Sequence, residues 1–378
     1  MLGFFKKLFG RKKTAFKPPY QLPANAADIV VPARGADDPA HPDADIRIAL
    51  ADRLVKLLPT IETEAHSELY GFAVQALTAL AQDEVLKVRR ALSTALRDYA
   101  KAPPAVVARL ARDVEREIAE PILRHCIALE DSVLMDILSS HPEPWAIAAI
   151  AARPTVSEKV TDAVFRAGDI IGTALMVGNR GAQISRDTLQ AIVDGARRHA
   201  EWQRPLALSP HLDVDLTREL TGFVSETILE VLKNRSDLDA ATRLGVVSIV
   251  ERRIAYTQND RGAKTPAEKV DRFARDGRLT PEMVHDALAW QERPFAVQAM
   301  AKMAGLPVET VERILGAGAK PIVALCWKAG FPARMCIDVQ RLAGRVQPKD
   351  LLYPKGGTEY PLTPDEIAWQ LEFFGIKK

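Results

Sequence analysis

From about residue 83 to residue 195 the chain repeats one pattern: a short stretch with apolar positions three and four apart, a polar turn, and a second such stretch. Laying Ile122 over Ile147, Ala148 over Ala174 and Val156 over Ile184 gives offsets of 25, 26 and 28 residues. Spacings of three and four put apolar side chains on one face of a helix, so each unit is a helical hairpin. One such hairpin has nothing to bury its apolar face against. Stacked hairpins bury it against one another, which is the logic of a solenoid. The repetition therefore predicts an all-α chain built as a solenoid of short helical hairpins.

The units can be read off directly. Residues 46–58 (IRIALADRLVKLL) and 66–81 carry helical periodicity. DEVLKVRRALSTALRDYA (83–100) is followed by PPAVVARLAR (103–112). IAEPILRHCIA (118–128) echoes the first of these and EDSVLMDILS (130–139) the second. WAIAAIAAR (145–153), VSEKVTDAVFR (156–166), IIGTALMVGN (170–179) and ISRDTLQAIVDG (184–195) continue the series. Ser157 and Ser185 stand at N-cap positions, with Glu158 in a first turn. Pro104, Pro121 and Pro154 mark helix starts or breaks. Residues 215–233 read as one long amphipathic helix and 238–256 as another. The turn formers at 257–268 (TQNDRGAKTPAE) place a boundary there. The repeats thus occupy 46–260, and a smaller helical C-terminal domain occupies 265–378.

Asp83 followed by Val88-Arg89-Arg90-Ala91-Leu92 resembles the HEAT repeat family, in which the acid caps a helix and the arginine braces the next unit. More widely, residues 75–378 resemble a bacterial HEAT-like family known as domain of unknown function 2336. The turns at Arg153-Pro154 and Gly178-Asn179-Arg180 and the closing Trp369-Gln370-Leu371-Glu372-Phe373-Phe374-Gly375 carry that resemblance. It implies a HEAT-like fold. It implies no activity, no catalytic residues and no cofactor.

Composition agrees with a folded helical chain: 47% hydrophobic, 26% charged and 6% aromatic residues. The net charge of +2 conceals an asymmetry. Residues 1–27 hold six basic side chains and no acid, leaving 45 basic against 49 acidic residues in the remainder. A body at −4 is not a strong general binder of nucleic acid. The three cysteines, Cys126, Cys326 and Cys336, form no CxxC and argue against a disulfide framework. The seven histidines show no metal-ligand spacing, so neither a metal nor a cofactor is implied. No apolar run reaches the ~18 residues a spanning helix needs.

The leader, residues 1–17, opens MLGFFKKLFGRKK. On a helix, Leu2, Phe4, Phe5, Leu8 and Phe9 fall within about 160° of arc, with Lys6 and Lys7 on the other side. Arg11, Lys12 and Lys13 follow. This is the pattern of a short helix lying in a membrane interface. Partial burial of five bulky apolar groups contributes several kcal/mol, and each cation near an anionic leaflet adds about 1 kcal/mol. The same aromatics could instead dock on the protein's own body or on a partner. Residues 18–45, rich in Pro, Ala and Asp, read as a flexible linker.

In the C-terminal part, Ala301, Gly305 and Val311 take the alanine, glycine and valine spacings of a DNA-binding helix-turn-helix, within the segment 297–315. Residues 308–315 would then be the recognition helix, yet they offer Glu309 and Glu312 against a single base, Arg313. Carboxylates repel phosphates, so a packed αα-hairpin is the expected reading. Gly316-Ala317-Gly318-Ala319-Lys320 lacks phosphate-loop spacing and reads as a turn. Thr363 with Glu366 forms a capping box, and Phe373 and Phe374 read as a core latch. Cys326 and Cys336 could meet across a hairpin but read first as buried small residues. Arg89, Arg90, Arg197, Arg198, Arg252 and Arg253 could line a groove for a protein partner or an anion. These features together predict a non-enzymatic cytoplasmic adaptor with a protein partner, held at the inner membrane face by its leader. The alternative is a nucleic-acid-binding or regulatory protein using residues 297–315.

Overall fold

The computed structural model describes residues 43–62, 67–258 and 265–376. The leader and most of the linker lie outside them. Among the described residues the secondary structure is helical, with two isolated β-bridges, Val156 with Ala182 and Lys355 with Glu359. The chain divides into two compact units, residues 1–185 and 186–378.

The first unit holds α1 (Ala44–Ile61), α2 (Ser67–Leu80), α3 (Leu86–Leu96), α4 (Pro104–Leu110), α5 (Arg116–His125), α6 (Asp131–Ser139), α7 (Pro144–Ala151), α8 (Glu158–Arg166) and α9 (Ile170–Gly178). These follow the hairpins predicted from the repeat. Packing skips a neighbour: α1 lies on α3, α3 on α5, α5 on α7 and α7 on α9, while α2 lies on α4 and α6 on α8. The odd helices thus form one layer and the even ones the other, as stacked hairpins require. Residues that face both neighbours become apolar all round. In α7, Ala146, Ile147, Ala149, Ile150 and Ala151 are all buried.

Consecutive units are also tied by polar side chains. The last carbonyls of a helix have no partner within it. At the end of α5, Leu123 and Cys126 receive theirs from the buried guanidinium of Arg153, at 2.6 and 2.8 Å. One unit later, Asn179 Nδ2 donates to the carbonyls of Ala151 and Arg153 at 2.9 and 2.7 Å. Asp83 accepts from the Val85 amide at 2.8 Å and Arg89 reaches Asp113 in the next unit at 2.7 Å. Arg89 thus bridges to the next unit, whereas Asp83 holds the turn before α3, a helix without a side-chain N-cap. Gly181 allows a further close approach, since a Cβ there would clash with the Pro154 carbonyl oxygen.

The second unit holds α10 (Arg186–Gly195), α11 (Ala200–Leu208), α12 (Val214–Thr221), α13 (Glu226–Lys233), α14 (Ala240–Gln258), α15 (Pro266–Arg275), α16 (Pro281–Ala289), α17 (Arg293–Ala304), α18 (Val308–Leu315) and α19 (Ala319–Lys328). A short helix α20 (Cys336–Asp338) runs into a π-helical turn, Val339–Ala343, and α21 (Pro364–Phe373) follows. Second-neighbour packing continues: α10 on α12, α11 on α13, α12 on α14, α15 on α17 and α19 on α21. The division of the chain falls between Ser185 and Arg186, whereas helices on either side of the polar 257–268 stretch share one unit, with α16 packed on α12 and α14.

Three local expectations are corrected. Residues 215–233 are two helices, α12 and α13, rather than one. A Cβ on Gly222 would meet Trp290 Cα at 2.8 Å, and the Gly222 carbonyl accepts from Arg253 Nη2 at 2.6 Å, so tertiary contacts end α12 there. Pro121 lies inside α5 rather than at a break; burial of Ile118, Ala119, Ile122 and Leu123 around it outweighs the one missing hydrogen bond. Ala44 and Asp45, read as linker, open α1.

Replacing Arg153 by Met removes both guanidinium hydrogen bonds, leaving the Leu123 carbonyl without that donor and Cys126 with the Leu129 amide at 3.3 Å, and is expected to cost about 1–3 kcal/mol in a denaturant titration. Gly181→Ala is expected to be destabilising in the same measurement, because the obstructing atom is backbone and cannot swing away.

Candidate functional site

The six arginines expected to line a groove are mostly committed to neighbouring side chains. In the first unit Arg89 pairs with Asp113 at 2.7 Å and Arg90 with Glu117. In the second unit Arg252 pairs with Asp286 at 2.5 Å. Arg253 donates to Gly222 and stacks over the rings of Trp290 and Tyr256, at 4.9 and 5.5 Å from their centroids. Arg197 lies over Phe223 at 4.4 Å. Arg198 is exposed. The leader residues Leu2, Phe4, Phe5, Lys6, Lys7, Leu8, Phe9, Arg11, Lys12 and Lys13 lie outside the described residues.

The densest polar cluster joins α12, α14, α16 and α20. Asp286 is fully buried on α16, and each of its oxygens takes one guanidinium: Arg218 Nε at 2.7 Å and Arg252 Nε at 2.5 Å. Arg218 also reaches Asp215 at 2.8 Å, and its carbonyl accepts from Trp290 Nε1 at 3.0 Å. One residue before Asp286, His285 Nε2 lies 2.9 Å from Asp338 Oδ2, and Arg341 reaches the other oxygen at 3.0 Å. Burial pushes the Asp338 carboxyl up, but the His285 hydrogen bond and the charges of His285, Arg341 and Arg218 outweigh it and hold the group below its ordinary value. On α12, burial holds Glu219 above the ordinary carboxylate range, despite a 2.7 Å hydrogen bond from Gln190. Every carboxylate in the cluster has a named partner. The arrangement clamps four elements together and fixes their register. Only Arg252 is singled out in sequence, and none of the pairings is legible there, because bonded partners lie as far as 72 residues apart.

The helix-turn-helix-like segment is a tightly packed hairpin of α17 and α18. Ala301 and Val311 are buried, and Gly305 closes α17 in the left-handed region at φ 66°. Glu312 takes Arg293 bidentately at 2.8 and 2.7 Å, and Arg313 lies over the Phe374 ring at 5.7 Å. The spacing of Ala, Gly and Val is thus explained by packing and turn geometry.

Beside it, α21 presents a ledge. Its Thr363–Glu366 capping box forms as predicted. The two closing phenylalanines separate: Phe374 packs on the core, while Phe373 is 72% exposed. Trp369, one turn earlier and 62% exposed, stacks with Phe373 at 6.1 Å and 29°. A groove of about 430 Å³ runs along this ledge, lined by Lys320, Asp350, Leu352, Trp369, Phe373 and Phe374. Two large aromatics held exposed on one helix face are what recognition anchors look like.

All three thiols are buried. Burial pushes Cys126 up, and burial together with a hydrogen bond to Cys336 pushes Cys326 well above the ordinary thiol value. Cys326 and Cys336 thus meet, and both are fully buried as free thiols.

Asp286→Asn leaves two guanidinium groups without their buried counter-charge, and a loss of about 3–5 kcal/mol in chemical denaturation is expected. Asp338 titrates below its unfolded value, so its stabilisation is full above the ordinary aspartate range near pH ~4 and disappears as the pH falls through the lower folded value. Denaturation midpoints followed down through that range are expected to drop more steeply in the native chain than in Asp338→Asn.

No curated protein and no solved structure matches the chain. A family model does match, over residues 118–351, which takes in helices of both units. The matched span holds the Arg153 and Asn179 braces and the Asp286 clamp described above. On that match the chain belongs to the bacterial family DUF2336, described as an uncharacterised protein conserved in bacteria.

Proposed function

We propose that this chain is a non-enzymatic adaptor that binds a protein partner through its helical surface, with its leader holding it at the cytoplasmic face of a membrane. The observation that carries partner binding is the Trp369–Phe373 ledge. Burying a large aromatic side chain is worth about 1.5–3 kcal/mol, and here two are left outside the core on one face of α21. Paired aromatic anchors beside a groove with a cation and a carboxylate, Lys320 and Asp350, suit a peptide segment that has both apolar and charged groups. The arginine pairs speak less for an anion groove, because five of the six are engaged by neighbouring carboxylates, carbonyls or rings.

Membrane attachment rests on the segregation of charge within residues 1–13, where five bulky apolar groups and five cations stand together without an acid. No helix among the described residues is long and apolar enough to cross a membrane.

Two measurements test the two halves. The full chain is expected to float with anionic vesicles at low salt, and a chain lacking residues 1–17 to stay at the bottom of the gradient; equal flotation removes the anchoring role. A photo-reactive residue placed at Ala317, exposed on the wall of the groove, is expected to give defined protein adducts in cells. The doublet Trp369→Ala with Phe373→Ala should abolish them with little change in stability, since surface substitutions of this kind usually shift it by no more than about 0.5 kcal/mol. Adducts that survive the doublet sink the ledge as the partner site.

A further inference from the structure

Between α6 and α8 the first unit leaves a space unfilled. Met135 and Leu138 stand three apart on α6, which packs on α8. On the α8 side stand Ala163 and Ala167, four apart and so on one line. Two alanines at such a contact leave room that protein interiors ordinarily fill. The result is a half-open cavity of about 410 Å³, with Ile147 of α7 also on its wall. That is the size of a small-molecule site.

Two polar side chains line this otherwise apolar cavity. They are Arg166, the last residue of α8, and His141, in the turn between α6 and α7. Arg166 Nε donates to the Asp162 carbonyl at 3.1 Å, which leaves the two terminal nitrogens for another acceptor. No carboxylate lines the cavity, and none among the described residues pairs with Arg166. Other arginines of this unit are committed to neighbours: Arg89 to Asp113, Arg112 to Asp136 and Arg153 to two carbonyls. His141 is held in the left-handed region at φ 56°, although Pro142 follows it. Non-glycine residues are uncommon there, and a following proline favours extended backbone instead. Strained residues of this kind collect at ligand sites.

A guanidinium and an imidazole beside apolar walls, with no acid, complement an anion that carries an apolar chain. The donor set favours a carboxylate over a phosphate. The paired terminal nitrogens of a guanidinium match the two oxygens of one planar group, and one further donor, His141, stands by. A phosphate would present more oxygens than these donors serve.

We propose that this cavity binds a small alkyl carboxylate, with its charged end on Arg166 and His141 and its chain against Met135, Leu138 and the Ala163–Ala167 line. The site belongs to the first unit, whereas the Trp369–Phe373 ledge belongs to the second, so neither reading rests on the other.

Methyl NMR of the full chain titrated with hexanoate tests this. Met135 is one of seven methionines and is assigned by Met135→Leu. Its methyl signal is expected to shift saturably, while the buried Met283 and Met300 of the second unit stay in place. Acetate, which lacks the chain, is expected to bind at least about tenfold more weakly. Hexylamine, with the same chain and the opposite charge, should give no saturable shift. Arg166→Gln is expected to weaken hexanoate binding about tenfold. Ala163→Leu and Ala167→Leu, which fill the cavity from one side, should abolish it, and unchanged Met283 and Met300 signals will show that the variants are folded. Absence of a saturable Met135 shift overturns the proposal, as does an equal response to hexylamine or undiminished binding in both leucine variants. A response to inorganic phosphate as strong as that to hexanoate overturns it in favour of a bare anion site.

Discussion

Everything in the first unit depends on second-neighbour packing between helices too short to stand alone. Helices of seven to eleven residues from α3 to α9 fall below the length at which a helix is stable in water. They persist because each is covered on more than one side. Coverage of this kind makes helix ends a problem, since every short helix leaves carbonyls that water cannot always reach. Arg153 and Asn179 solve it by reaching back one unit, and Arg235 does the same for Ala207 in the second unit at 3.2 Å. The stack is thus a chain of apolar contacts stitched at its turns by polar side chains.

The second unit uses a different kind of stitching. Asp286 buries a full charge and draws two arginines from helices before it in sequence, while its neighbour His285 reaches Asp338 beyond it. A buried carboxylate with two guanidinium partners is costly to desolvate, and it adds less to net stability than to the choice of one register over others. The perturbed carboxyls around it therefore have a structural cause. Asp338 is held low by its cations, and Glu219 is held high by burial.

Trp369 and Phe373 stand exposed on one face of α21, whereas five of the six arginines singled out in the sequence are engaged by neighbouring carboxylates, carbonyls or rings.

The sequence by itself determined the helical class, the hairpin period, most helix positions in 44–195 and the capping box at Thr363, because these follow from local spacing and side-chain chemistry. It also marked the turns at Arg153 and Asn179, though not what they do. Tertiary structure decided the rest. Gly222 ends α12 because Trp290 presses on it from 68 residues away in the chain, and no local signal records that approach. Five of the six arginines that could line a groove in sequence are engaged by carboxylates, carbonyls and rings that folding brought to them. Phe373 and Phe374, adjacent and chemically identical, were parted by the helix itself, which turns about 100° per residue and sends one into the core and the other into solvent.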